Sequence, residues 1–190
     1  MAEEFYIADI HFNHANVINF DNRPFNTVEE MDNAIISNWN NVVSPKDTVY
    51  IIGDFCMGTE EKWLGYLRQL KGKKILIKGN HDKALTPDVR KHFDYITEYK
   101  EHKTNKKRII MCHYPIPFYR SDYSEATYML YGHVHSTLEE DMILYFKQYI
   151  KEHDNRGVSA NKCQFYNAWL GYYNYTPVTL DQIVEYWKNK

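Results

Sequence analysis

Apolar residues along this chain fall into two alternating rhythms. Short runs of strand length are separated by stretches in which apolar residues recur three or four apart. Phe5 to Ala8 reads as a strand that stops at Asp9. Thr27 and Glu30 form a capping box ahead of Val28, Met31, Ile35, Trp39 and Val42, whose spacing predicts a helix. Thr48 to Ile52 is a second strand, ending at Gly53-Asp54. Trp63, Leu64, Leu67 and Leu70 mark a second helix closed by Gly72, and Lys74 to Lys78 is a third strand, ending at Gly79-Asn80.

The second half carries more strand. Tyr95 to Tyr99 and Arg108 to Cys112 read as a hairpin around the polar tip Lys103-Thr104-Asn105-Lys106, and Tyr128 to Tyr131 runs into Gly132-His133. Ser136 with Glu139 predicts a capped helix extending to His153, with Leu138, Met142, Phe146 and Tyr149 on one side. Cys163 to Ala168 reads as a strand, and Thr179 with Gln182 caps a last helix carrying Leu180, Ile183, Val184 and Trp187. Strands alternating with helices indicate an α/β fold. No repeat, low-complexity stretch or Pro/Gly/Ser-rich linker divides residues 1–190, so one domain with its own core is expected.

Composition removes several classes. With 44% apolar and 25% charged residues, disordered and fibrous chains drop out. A formal net charge of −2 leaves no global basic field, so nucleic acid would need a local contact that charge alone does not indicate. No apolar run approaches the ~20 residues of a membrane span. The acidic start Met1-Ala2-Glu3-Glu4 makes a secretory signal unexpected. Cys56, Cys112 and Cys163 form no CxxC pair, which makes a disulfide framework unexpected and a reducing cytoplasm the simpler setting.

The residues that can do chemistry stand at the ends of the strands. Five strand-like runs end at metal-capable residues: Asp9 with His11, Asp54, Asn80, His113, and His133 with His135. In open α/β sheets, sites gather at the carboxyl ends of strands, where loops converge on a rigid support. Carboxylate, amide and imidazole without thiolate suit Mn, Fe, Zn or a similar divalent ion. Seven donors exceed the needs of one four-coordinate zinc. They suit two ions about 3.5–4 Å apart that share a carboxylate, with Asp54 the candidate bridge. Gly53, Gly79 and Gly132 each precede a donor, where a sharp turn is expected.

Together Asp9-Ile10-His11, Gly53-Asp54, Gly79-Asn80-His81-Asp82, His113 and Gly132-His133-Val134-His135 resemble the five ordered motifs of the calcineurin-like metallophosphoesterases. Asp9-x-His11-Phe12-x-His14 and Arg23-Pro24-Phe25 are most similar to the short, capless bacterial and phage members. The resemblance implies a four-layer αββα sandwich of two mixed sheets flanked by helices. It implies that Asp9, His11, Asp54 and His135 hold one metal, and Asp54, Asn80, His113 and His133 the other. His81 would face the substrate as general acid, with Asp82 orienting it from behind. Two features depart from the pattern. Phe55-Cys56-Met57-Gly58 lacks a further acidic residue found in many relatives, and the Leu138 to His153 segment is longer than the expected link.

The reaction implied is hydrolysis of a small phosphate ester or nucleotide by a hydroxide bridging two divalent ions, Mn foremost, with Fe, Zn or Ni as alternatives. Diesters or nucleotides are favoured. A broad phosphomonoesterase or nucleotide pyrophosphatase is the alternative enzyme, and a non-catalytic scaffold of the same fold the alternative class. Further substrate contacts are open at four positions. His14 competes with a surface histidine, Arg23 with a salt bridge, and Tyr114 and Arg120 with ordinary loop packing. The native metals and the oligomeric state stay open.

Overall fold

The computed structural model describes residues 2–190. In chain order the elements are β1 (Glu4–Ile7), α1 (Ala15–Phe20), α2 (Val28–Val42), β2 (Thr48–Ile52), α3 (Glu60–Leu67), β3 (Lys73–Ile77), α4 (Pro87–Arg90) and β4 (Tyr95–Thr97). They continue with β5 (Tyr99–Thr104), β6 (Lys107–Cys112), β7 (Thr127–Tyr131), α5 (Leu138–His153), β8 (Phe165–Asn167) and α6 (Leu180–Lys188). One sheet has the order β1-β2-β3-β4 and the other β5-β6-β7-β8. Both were expected to be mixed. The second is, with β5 antiparallel to β6 and the rest parallel. The four strands of the first run parallel, and an isolated antiparallel bridge from Tyr6 to Val178 lies outside them.

The period-two alternation of the strands explains the layers. Phe5, Ile7, Val49 and Ile51 face Met31, Ile35 and Trp39 of α2 and Trp63 and Leu67 of α3. Their neighbours Tyr6, Ala8, Tyr50 and Ile52 turn the other way, onto Ile109, Met111 and Leu130 of the second sheet and Ile183 of α6. The outer face of that sheet, Ile110, Met129, Tyr131 and Phe165, takes Ile150 of α5. Helices therefore flank two packed sheets, as expected. Trp39 is fully buried and its indole donates to the Lys71 carbonyl at 3.0 Å. Trp39→Ala is expected to cost about 3–5 kcal/mol in denaturant unfolding; a loss below 1 kcal/mol would mean that this layer does not hold the first sheet in place.

Local differences have local causes. The expected Tyr95 to Tyr99 strand divides at Glu98: its first part joins β3, and β5 starts at Tyr99 and forms the hairpin with β6. Glu30 accepts from Asn26 rather than from Thr27, so the first capping box is half made, whereas the Thr179–Gln182 box is complete. Thr137, not Ser136, caps α5. The apolar side foreseen for α5 is not its buried side, because Leu138, Met142 and Tyr149 stay exposed while Glu140 and Ile150 are buried.

Candidate metal centre

Strands β1, β2 and β3 run in parallel, as do β6 and β7, so the carboxyl ends within each sheet lie along one edge. The loops that leave them are tied together: Asp9 donates to the Gly53 carbonyl, His11 to that of Asp54 and Gly132 to that of His113. Five of the seven expected donors, Asp9, His11, Asp54, His133 and His135, have φ between 48° and 72°. Side chains rarely adopt this left-handed conformation, at a cost of about 1–3 kcal/mol each, and it concentrates where a site over-determines the backbone. The glycines differ in their reasons. Gly53 has φ +84°, the turn that was foreseen, but Gly79 and Gly132 have no positive φ. A Cβ at Gly79 would overlap the Asp54 carboxylate, and one at Gly132 that of Asp9. These two glycines are required for close approach.

The side chains converge in two groups. The Nε2 atoms of His11 and His135 face one another at 3.3 Å, and His135 Nε2 lies 3.5 Å from Asp9 Oδ1. On the other side, Asn80 Oδ1 lies 3.0 Å from His113 Nε2 and 3.1 Å from His133 Nδ1. Asp54 Oδ2 sits between the groups, 3.7 Å from His11 Nε2 and 3.5 Å from His113 Nε2. Asp9 also reaches across, to 3.8 Å from His113 Nδ1. Asp9, His11 and His135 form one cluster of ligand atoms within 4.8 Å of one another, and Asp9, Asp54 and His113 a second. His113 Nδ1 is held by the Ile52 carbonyl at 3.0 Å, which leaves Nε2 to face the cluster. Buried His11 Nδ1 has no hydrogen-bond partner. Ring nitrogens and carboxylate oxygens packed this closely, without thiolate, fit divalent cations.

Electrostatics carry a consequence for metal loading. Burial works against a charged ring at both His135 and His113, yet carboxylates override it. Asp9 and Asp21 hold His135 up to about 10, and Asp54 and Asp9 hold His113 up to about 9. Held this far up, both rings favour the doubly protonated form at pH 7, and as a metal ligand each would give up the proton on one nitrogen. The unloaded state thus holds more protons than the loaded one, so metal affinity rises with pH through neutrality. Calorimetry in buffers of different ionisation enthalpy is expected to register net proton release on metal binding at pH 7, about two per chain from these rings in addition to any lost by metal-bound water. Release of none would refute the pairing.

Residues around the cluster partly depart from expectation. Asp82, expected behind His81, instead accepts from the backbone N–H groups of Gly79, Asp54 and Phe55 at 2.8–3.0 Å. It pins the β2 and β3 loops to each other, because three convergent amides outcompete one half-buried ring for a buried carboxylate. The His81 backbone donates to Asp54 Oδ1, and its half-buried ring lies 5.6 Å from that of His11. His14 packs in the same imidazole cluster, 5.2 Å from His11 and 6.5 Å from His81. Tyr114 is exposed, its ring 4.6 Å from that of His133.

Arg23 and Arg120 are engaged by partners within the chain. The Arg23 side chain is fully buried and donates to the carbonyls of Asp9 and Ile10, both at 3.0 Å, and to Asp21. Arg120 pairs with Glu101 on β5, and no contact of its side chain reaches the cluster. Asp21 escaped the sequence reading. Its Oδ2 takes Arg23 while its Oδ1 lies 2.7 Å from His135 Nδ1. A carboxylate behind a ligating imidazole fixes its tautomer and raises its basicity. Trp169 stacks on the same ring at 5.8 Å, and Asn167 donates to the His135 carbonyl.

The family model for the calcineurin-like phosphoesterase superfamily domain matches residues 5–150. The chain belongs to this superfamily. Calcineurin-like phosphoesterases are metal-dependent hydrolases of phosphate esters, and the donor clusters of this member supply candidate ligands. A Methanocaldococcus jannaschii protein described as uncharacterized is 32% identical over 188 residues, 97% of this chain and 91% of its own length. The Gene 66 protein of Mycobacterium phage L5 is 34% identical over 85 residues, 43% of this phosphoesterase and 41% of that protein. A crystal structure of a protein of unknown function from Aquifex aeolicus aligns with TM-score 0.64 and 28% identity over 97% of this chain and 99% of that one. No helix among the described residues is long and apolar enough to cross a membrane.

Proposed function

We propose that this phosphoesterase binds two divalent ions, Mn foremost, and hydrolyses phosphodiesters or nucleotide-type substrates. The observation that carries the reading is the position of Asp54 Oδ2 between His11 and His113, each of which belongs to a different group of donors. Asp9, His11, Asp54 and His135 would hold one ion, and Asp54, Asn80, His113 and His133 the other. What the ions supply when bound is positive charge against the phosphoryl oxygens and activation of the attacking water.

The remaining work falls to the chain. The half-buried ring of His81 stands beside the cluster and gives a proton from a ring nitrogen to the departing ester oxygen. Asp82 keeps the loops of Asp54 and Asn80 in register through their amides. Asp21 and Arg23 hold His135 and the Asp9–Ile10 backbone, so the donors are positioned before substrate arrives. Three unpaired thiols suit a reducing compartment such as the cytoplasm.

The test is a panel of p-nitrophenyl phosphate and bis-(p-nitrophenyl) phosphate, assayed with Mn, Ni, Zn and Mg added separately. Metal-dependent turnover of the diester is expected. Turnover of the monoester alone would replace the reading with a phosphomonoesterase, and no turnover with any metal would favour a non-catalytic scaffold.

A further inference from the structure

A cavity of about 750 Å³ opens beside the donor cluster and shares Asn80 and Tyr114 with it. Its wall carries three cations, Lys78, Lys83 and Arg90, against two carboxylates, Glu98 and the buried Asp82, although the chain as a whole has net charge −2. Their partners are few. Lys78 meets Glu98 at 3.6 Å, with both side chains substantially exposed, a pairing of little strength. Arg90 donates its Nε to the Leu85 carbonyl, which orients the guanidinium, and its two terminal nitrogens meet no carboxylate among the described residues. Lys83 is exposed and has no acidic partner among them. The buried Asp82 on this wall already accepts three backbone N–H groups. Lys83 and Arg90 without acidic partners, beside the weakly paired Lys78, cost electrostatic repulsion in one hollow, and an anion relieves it. A guanidinium fork with two ammonium groups matches the several oxygens of a phosphate. Tyr114 adds an exposed aromatic ring at the join between cavity and cluster, a surface on which a nucleobase can stack.

We propose that this cavity is a second phosphate subsite: the substrate is a phosphorylated nucleotide chain whose scissile ester lies at the donor cluster while a neighbouring phosphate sits among Lys78, Lys83 and Arg90. The inference rests on the phosphoesterase reading above and narrows it to one substrate class. The cations act on binding and not on the reacting bond, so their signature is discrimination between substrates with and without the extra phosphate.

The experiment pairs dithymidine dinucleotides with and without a 5′-phosphate. Calorimetry on the Mn-loaded chain uses the versions with a non-cleavable methylenephosphonate bridge, and kcat/KM is measured on the cleavable versions. The 5′-phosphate is expected to strengthen binding and raise kcat/KM roughly ten-fold, an advantage that shrinks as salt is raised. In the Lys83→Glu/Arg90→Glu variant the advantage is expected to fall below about two-fold. Equal binding of the two dinucleotides by the unsubstituted chain, or an advantage that survives the double substitution, would overturn the subsite. Discrimination in binding with no hydrolysis of either dinucleotide under any metal would support the subsite and overturn the phosphoesterase reading.

Discussion

Replacing His81 by alanine is expected to lower kcat by about 10²–10⁴ for esters with poor leaving groups while both metals stay bound. The split follows from its position. Its backbone N–H braces Asp54, an interaction alanine keeps, while its ring lies among imidazoles without taking a place in either group of donor atoms. A p-nitrophenolate leaving group departs without protonation, so turnover of such esters is expected to fall far less. Measuring kcat across leaving groups of graded basicity, with metal content in parallel, checks the role. Metal loss, or an equal decline for good and poor leaving groups, would remove His81 from it.

Removing the Asp21 carboxylate is expected to have two separable effects. In Asp21→Ala, buried Arg23 loses its only ion-pair partner among the described residues, and uncompensated buried charge costs roughly 3–5 kcal/mol. In Asp21→Asn the shape survives but the carboxylate behind His135 does not, and metal affinity is expected to fall about 10–100-fold. Urea unfolding reads the first effect and competition with a metal chelator the second. If Asp21→Asn bound metal as tightly as the unsubstituted chain, the Asp21–His135 contact would have no part in metal affinity.

Asp21 also marks the boundary of what the sequence makes legible. The seven expected donors stand within four residues of the ends of strands, and that signature is local: an apolar run, then polar residues where it ends. The same holds for the second sheet, whose β6 and β7 end just before His113 and His133. Asp21 comes after a short helix and precedes Arg23, a neighbourhood that reads as a surface turn. Its partner His135 lies 114 positions away, and only the folded chain brings the two together. Arg23 stays open between a substrate contact and a salt bridge in the sequence for a related reason, since an arginine near an anionic substrate site and one strapping the loop behind it look alike there. The Tyr95 to Thr104 run hides its division between two sheets because both parts have strand composition. On α5, apolar residues appear on more than one side of the helix, and packing on the outer sheet takes only one of them.

In the proposed function the five strand ends would build one site for two ions, with the Asp54 carboxylate shared between them. Metal content per chain, measured by elemental analysis after dialysis for the unsubstituted protein and for Asp54→Asn, tests it most directly. Two divalent ions are expected in the first and a loss of tightly held metal in the second. A single ion per chain, or two that persist without the Asp54 carboxylate, would contradict it.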